Sequence, residues 1–453
     1  FIDNLRTKES YSFEFAKNWL VKHSDIQLSA DMENFPGRQY PRHDGIFACF
    51  TDCMPDRWGR TLLREQFRHD HPGATHDPNP SDYLIGVCDK TRMGAFRFMD
   101  EQGIYVGLTE GKNAIPPVTD IQELMELSRK VEQNGIKRIP TEDRILRRLV
   151  RPGSSAGGAR PKAVVEDSGS LFIAKFPSVK DNCDVARLEY FAHLMARECG
   201  IETAETKLIK FGNYSTLLSR RFDRDVDNRI HMASSMTLVG LADRSGADTG
   251  NGYLDIVDAI CRYSSDSEND LKELYRRVAF NICIGNVDDH FRNHAFLLTS
   301  KGWKLSPVYD VNPTSSKLHA LLIDRYTNEG SLDILYNAHE DYCLSDNDAN
   351  IIIKDILRNM KYWESTARKL NLDHQDMAIL KNRIDEGMNN GLVVHNYLFS
   401  FFSSAFGASA GFASSLGASA FGAVLGADAG LTFFTFGLAG RSNLFFFTVL
   451  LFL

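Results

Sequence analysis

The run Asn286-Val287-Asp288-Asp289-His290-Phe291-Arg292-Asn293, followed downstream by Tyr309-Asp310, constrains this chain more than any other segment. It sets proton-accepting and metal-binding side chains in a fixed order. Asp288 and Asn293 have the spacing of a phosphoryl-transfer loop, in which the Asp accepts the proton of an attacking hydroxyl and the Asn holds a Mg²⁺. Asp310 is the candidate second metal ligand. The apolar runs from His294 to Thr299 and from Trp303 to Ser306 read as two strands joined at Ser300-Lys301-Gly302. Such a hairpin folds Asp310 back beside Asn293, which gives the spacing a geometric reason. The bland alternative for Asp288, Asp289 and His290 is an acidic loop after a helix ended by Gly285. His290 itself is read as structural, holding the loop by hydrogen bonds and not binding metal.

Segments upstream fit the same chemistry. Gly153-Ser154-Ser155-Ala156-Gly157-Gly158-Ala159-Arg160-Pro161-Lys162 lies just before Ala163-Val164-Val165. It reads as a phosphate-covering loop in which glycines let backbone N–H groups approach phosphate oxygens and Arg160 and Lys162 add charge. It is neither a Walker A nor a Gly-x-Gly-x-x-Gly motif, and a surface turn is the competing reading. Lys175 stands inside the apolar strand Leu171 to Pro177, where an ammonium requires an anion. The phosphates of a nucleotide and Glu189 are its candidate partners, Glu189 lying on a helix marked by Val185, Leu188, Ala192 and Met195. An edge-strand lysine facing water is the alternative. Leu217 to Arg224 reads as a strand running into a hinge whose backbone meets an adenine, with Phe222 beside the ring and Asp223 in the same nucleotide-binding set.

Composition narrows the class. The 453 residues, 43% hydrophobic and 25% charged, suit a soluble globular protein of two or three domains. A net charge of -7 argues against a surface given over to nucleic acid. The basic run from Lys137 to Lys162 reads as a solvated helix face ahead of an anion site. The cysteines show no Cys-x-x-Cys pair, so neither zinc nor a disulfide framework is indicated, and reduced thiols point to the cytoplasm. The chain opens Phe-Ile-Asp-Asn-Leu without a leader pattern, and a first strand is expected to be missing.

The organisation expected is an N-terminal α+β subdomain over 1–110, with a helix from Pro55 to Glu65, and a β-rich ATP-binding lobe over 140–230, with one helix from Val185 to Glu198. A helical catalytic lobe over 231–390 follows, with helical spacing at Leu271, Leu274, Val278 and Ile282 and again from Ala349 to Met388. The fold class is α+β: a bilobal protein-kinase-like fold with a small β-rich lobe, a larger all-helical C-terminal lobe and the N-terminal subdomain. From Tyr397 to Leu453 the chain is low in complexity, with Asp428 and Arg441 its only charges. That tail is expected to stay outside the fold, a membrane anchor being the lesser reading.

Ser154 to Lys162, Arg221-Phe-Asp-Arg224, Gly252-Tyr-Leu-Asp-Ile256, Asn286 to His290 and Tyr309-Asp310 together resemble the HipA family, the serine/threonine kinase toxins of bacterial type II toxin–antitoxin systems. Ser12-Phe-Glu-Phe15 and Pro55-Asp-Arg-Trp-Gly-Arg60 extend the resemblance to about residues 10 to 390. It implies transfer of the ATP γ-phosphate, with Mg²⁺, to a protein hydroxyl. Asp288 is then the catalytic base, Asn293 and Asp310 the metal ligands, and Lys175 the phosphate-binding lysine. Ser154, Ser155, Gly157, Gly158 and Lys162 belong to the nucleotide loop, and Ser155, with Ser154 beside it, is the implied self-phosphorylation site. The resemblance further implies an aminoacyl-tRNA synthetase as target and a helix-turn-helix antitoxin as partner, with DNA reached only through the antitoxin and no membrane involved. The alternative is a catalytically weak nucleotide-binding co-repressor working with that antitoxin. Intact Asp288, Asn293 and Asp310 favour the kinase.

Overall fold

Alternation of buried and outward residues builds the first layer. The strands β1 (Ile2–Leu5), β2 (Lys8–Tyr11), β3 (Phe13–Glu14), β4 (Arg38–Gln39) and β5 (Phe96–Met99) belong to one sheet. Phe96 and Phe98 are buried while Arg97 and Met99 are only half-buried, the period of two that a strand imposes. Those rings pack with Phe13, Phe15, Trp19, Phe47 and Phe50 in an aromatic core. The computed structural model describes the chain apart from residues 1, 6–7, 43–44, 75, 108–114, 135–148, 150–157, 226–227, 315–317, 390–430, 441–442 and 453.

The small lobe is an antiparallel sheet in the order β6-β7-β9-β8, formed by β6 (Lys162–Asp167), β7 (Ser170–Lys175), β8 (Thr206–Phe211) and β9 (Tyr214–Arg220). Ser168 and Gly169 both take positive φ, 51° and 79°, which is the two-residue turn whose twist matches a hairpin. The expected helix forms from Val185 to Glu198, capped by Asp184, whose side chain accepts from the Arg187 N–H. A second helix, Ile121–Asn134, lies between the first two stretches expected from sequence. It packs Leu124, Met125 and Val131 against β6 and β7 together with Trp58 and Leu62. Trp58 and Leu62 come from the helix Arg57–Asp70, so the N-terminal subdomain supplies part of the small lobe's core.

The two-residue strands β10 (Arg224–Asp225) and β11 (Asn228–Arg229) lead into the large lobe. This lobe is helical apart from a three-stranded sheet of β12 (Met232–Ser234), β13 (Ala295–Thr299) and β14 (Gly302–Leu305). Within it, β13 and β14 form the hairpin legible in the sequence, with Thr299 opposite Gly302. The helix Ser267–Ile284 runs through the centre, buried on almost every side over its second half, and ends at Gly285 in the left-handed cap (φ 74°). The helices Asp346–Met360, Trp363–Lys369 and His374–Asn389 surround it. Among the described residues, no helix is long and apolar enough to cross a membrane.

The tail expected to remain outside the fold instead supplies two strands, β15 (Leu431–Gly440) and β16 (Asn443–Phe452). They pair with each other and enter the N-terminal sheet, β15 beside β1 and β3, and β16 beside β5. The physical reason is that β1 and β5 would otherwise present unpaired N–H and C=O groups along the gap between them. Two uncharged strand segments rich in Phe, Leu and Thr have the propensity to satisfy them.

Candidate active site

Lys175 is the last residue of β7, and its ammonium meets two carboxylates. Nζ lies 2.5 Å from Glu189 Oε1 on the helix Val185–Glu198 and 2.5 Å from Asp310 Oδ1 of the large lobe. Strand lysine, helix glutamate and loop aspartate are therefore one cluster joining both lobes. Burial alone would lower the Lys175 pKa, but Asp310 and Glu189 outweigh it and hold the ammonium above the usual lysine range. Burial likewise works to raise Asp310, and Lys175 and Lys162 overcome it, holding the carboxyl well below the usual range. Asp310 takes a left-handed backbone, φ 59°, a conformation an L-residue pays for and which recurs at functional sites.

The neighbouring aspartates Asp288 and Asp289 face opposite ways. Asp289 is buried, and its Oδ2 accepts from Tyr253 O–H at 2.8 Å, Asn281 Nδ2 at 2.8 Å and His294 Nε2 at 2.7 Å. Burial raises its pKa, but His294 and these hydrogen bonds prevail and lower it. Asp288 is exposed. Its carboxyl pKa is raised, by partial burial first and then by Asp310 and Asp289, against the opposing charges of His290 and Arg57. A carboxylate lifted in this way is a better proton acceptor than an ordinary aspartate.

The short turn Phe291–Asn293 carries Asn293 inward, where it is buried. Its Nδ2 donates to the Asp288 carbonyl at 3.3 Å, while its Oδ1 is buried with no hydrogen-bond partner. This orphan carbonyl oxygen and the Asp310 carboxylate are hard oxygen donors of the kind Mg²⁺ takes, so their chemistry suits that ion. The loop-holding role expected of His290 is carried by His294, since His290 Nδ1 is buried without a partner and His294 grips Asp289.

Between the lobes lies a cleft lined by an apolar wall of Met93, Ile173 and Met232, by the ammonium groups of Lys162 and Lys175 among its cations, and by the rings of Phe222 and Tyr309, 5.6 Å apart. Asp223 does not serve as a free ligand. Arg221 Nε donates to its Oδ1 at 2.9 Å, while Arg221 Nη2, Arg224 Nη1 and the Gly94 N–H converge on Oδ2 at 2.6, 2.8 and 2.7 Å. That carboxylate is saturated as a tie between the hinge and the N-terminal subdomain. Lys162 also pairs with that subdomain, its Nζ 2.8 Å from Asp56 Oδ2. Gly158 lies against it at φ 100°, a backbone conformation that favours glycine. Ser154, Ser155 and Gly157 lie outside the described residues.

Sequence reasoning did not single out Tyr253, Asn281 or His294 as the clamp on the loop from Asp288 to Asn293, nor Asp56 and Asp52 as carboxylates reaching in from the N-terminal subdomain. For Tyr253 a signal existed, since it sits in the Gly252-Tyr-Leu-Asp segment. Asp56 lies in the Pro55-Asp-Arg-Trp-Gly-Arg60 segment, but nothing local indicates its partner.

Comparison with known proteins agrees with this geometry. Residues 4–99 match the HipA N-terminal domain and residues 154–363 the HipA-like C-terminal domain, together more than half of the chain. The serine/threonine-protein kinase toxin HipA of Shewanella oneidensis is 24% identical over 191 residues, 36% of this chain and 43% of that protein. The chain spans between roughly a third and a half of the length of this and three other curated relatives that it matches. A solved structure of the HipA, HipB and operator DNA complex from Shewanella oneidensis MR-1 superposes with a TM-score of 0.61 at 17% identity, covering 88% of this chain and 95% of that one, and so shares the fold. With both domains matched in order around the Lys175, Glu189 and Asp310 cluster, the chain belongs to the HipA family.

Proposed function

We propose that this protein is an ATP-dependent serine/threonine protein kinase of the toxin type. The observation that carries the reading is the bridge from Lys175 to both Glu189 and Asp310, with the exposed Asp288 and the unpartnered Asn293 Oδ1 on the adjoining loop. Lys175 and Lys162 would bind the phosphates of ATP, and Met93, Ile173, Met232, Phe222 and Tyr309 its base. Asn293 and Asp310 would hold Mg²⁺, which when bound neutralises phosphate charge. Asp288 accepts the proton of a serine or threonine hydroxyl as its oxygen attacks the γ-phosphorus, and the bond from that phosphorus to the β,γ-bridging oxygen breaks to release ADP. Asp289 stays clamped to Tyr253, Asn281 and His294 and so fixes the direction in which Asp288 projects.

The substrate class we assign is a protein hydroxyl, an aminoacyl-tRNA synthetase among the candidates, together with Ser155 and the adjacent Ser154 of the loop. A phosphate there would sit beside those of ATP and repel them, so self-modification would be inhibitory. The partner is a DNA-binding antitoxin, as HipB accompanies the Shewanella HipA on its operator. Incubation of the full chain with Mg²⁺ and ATP, followed by intact and peptide mass spectrometry, tests the reading. Phosphate should appear on the Gly153 to Lys162 peptide and be absent from Asp288→Ala. No added phosphate, in protein that binds ATP and arrives unmodified, would favour the co-repressor.

A further inference from the structure

Arg292 immediately precedes Asn293, and no step above uses it. Its side chain is only 24% exposed, with Nη1 3.0 Å from Asp52 Oδ1 and Nη2 paired with Asp243. Asp52 belongs to the N-terminal subdomain and is itself buried. Its carboxylate also accepts from the Ser234 N–H at 2.7 Å, Ser234 Oγ at 2.8 Å and Thr237 Oγ1 at 2.7 Å. At its other end, the Arg292 carbonyl accepts from the Tyr309 hydroxyl at 2.6 Å, and Tyr309 immediately precedes Asp310. One residue is thus tied through its guanidinium to a different subdomain and through its carbonyl to the side chain of Tyr309, the residue before the second metal-ligand candidate. Ser235 adds a parallel tie, its hydroxyl donating to the Phe291 carbonyl at 2.6 Å.

Resting on the kinase reading, we infer that Asp52 and Arg292 are positioning residues, through which the N-terminal subdomain fixes the separation of the two metal-holding oxygens at Asn293 and Asp310. The chain of contacts is short and its links are largely buried. Asp52 cannot swing away, because strand β12 and the helix Ser235–Val239 engage the same carboxylate. Arg292 cannot shift without moving Asn293 on one side and releasing Tyr309 on the other. An ordinary contact between subdomains would contribute stability alone. A positioning tie also changes the affinity of the folded protein for the metal, as outer-shell partners do.

The test is electron paramagnetic resonance of Mn²⁺ in the presence of the β,γ-imido analogue of ATP, on the full chain and on Arg292→Met. The apparent Kd for Mn²⁺ should rise about tenfold, the low end of the range for outer-shell partners. Nucleotide affinity without metal should fall by a smaller factor than Mn²⁺ affinity, since the Arg292 backbone carbonyl that holds Tyr309 survives the substitution. Asp52→Asn should weaken Mn²⁺ binding in the same direction, and combining the two should cost no more than the larger single effect. If Arg292→Met does not fold, Arg292→Lys carries the same comparison, because it keeps a cation between the carboxylates while losing the fork that reaches both. Unchanged Mn²⁺ affinity in a folded variant, even one of lower Tm, would overturn the inference and leave the kinase reading standing. Absence of nucleotide-dependent Mn²⁺ binding in the unaltered chain would overturn both.

Discussion

Replacing Asp289 with alanine removes the acceptor of three hydrogen bonds while leaving all three donors in place. Tyr253 O–H, Asn281 Nδ2 and His294 Nε2 converge on its Oδ2 at 2.7 to 2.8 Å, and all four residues are buried. A buried donor left without a partner costs roughly 1–3 kcal/mol, and local relaxation recovers part of this, so the variant should lose about 3–6 kcal/mol. Urea unfolding followed by tryptophan fluorescence and far-UV circular dichroism measures the loss directly. The pH dependence supplies an independent check. Because the folded-state pKa of Asp289 is depressed, its stabilisation is complete above the unfolded value of 3.8 and is lost as pH falls through the lower folded value. The gap between the two proteins should therefore be constant near neutrality and close in acid. A loss under about 1 kcal/mol at pH 7, or a gap that persists unchanged in acid, would show that Asp289 is not the clamp on this loop.

Asp288→Ala should behave in the opposite way, abolishing phosphoryl transfer while moving stability by less than about 0.5 kcal/mol, and normal turnover would remove it from the mechanism. As the Asp288 carboxyl is raised above 3.8, the acid limb of the kcat/KM profile should lie above that value, and a limb at or below it would contradict the assignment. Glu189→Gln leaves Lys175 with a single carboxylate partner, Asp310. It should cost about 1–3 kcal/mol in urea unfolding and weaken nucleotide binding, whereas unchanged titrations would show that the helix carboxylate is dispensable. Truncation after Asn390 removes the ladder partners of β5, so hydrogen exchange at Phe96 to Met99 should accelerate markedly, and equal protection with and without the tail would refute the pairing.

What was legible in the sequence was local. The Asp288 to Asn293 interval, the hairpin returning to Asp310 and the helix carrying Glu189 are fixed by spacing, turn chemistry and helical period, which one segment encodes by itself. The identity of the clamping histidine was not. His290 and His294 share a loop, and which ring turns inward depends on the turn Phe291–Asn293 and on Tyr253 waiting across the core. Asp223 reads as a polar residue at a hinge, yet two arginines and the Gly94 N–H consume it, and that depends on a subdomain far away in the chain. Asp52 and Asp56 have the same character, since their partners Arg292 and Lys162 are set by tertiary docking alone. The tail was misjudged because a nearly uncharged, low-complexity composition suits an unstructured segment and a strand inserted in a sheet equally well.

The placement of β15 and β16 has a consequence for biosynthesis. Met99 pairs with Thr448 and Ile2 with Leu438, so a sheet whose first strands leave the ribosome early is completed only by strands synthesised after both kinase lobes. Until then the edges of β1 and β5 are open templates for pairing with other nascent chains, and closing them requires contacts between very distant parts of the sequence, the slowest kind to form. If Asp52 anchors Arg292 from this subdomain, the metal-holding oxygens reach their final spacing only when that late closure is finished. Newly made protein would then pass through an interval in which the lobes are folded but the proposed kinase site is still incomplete.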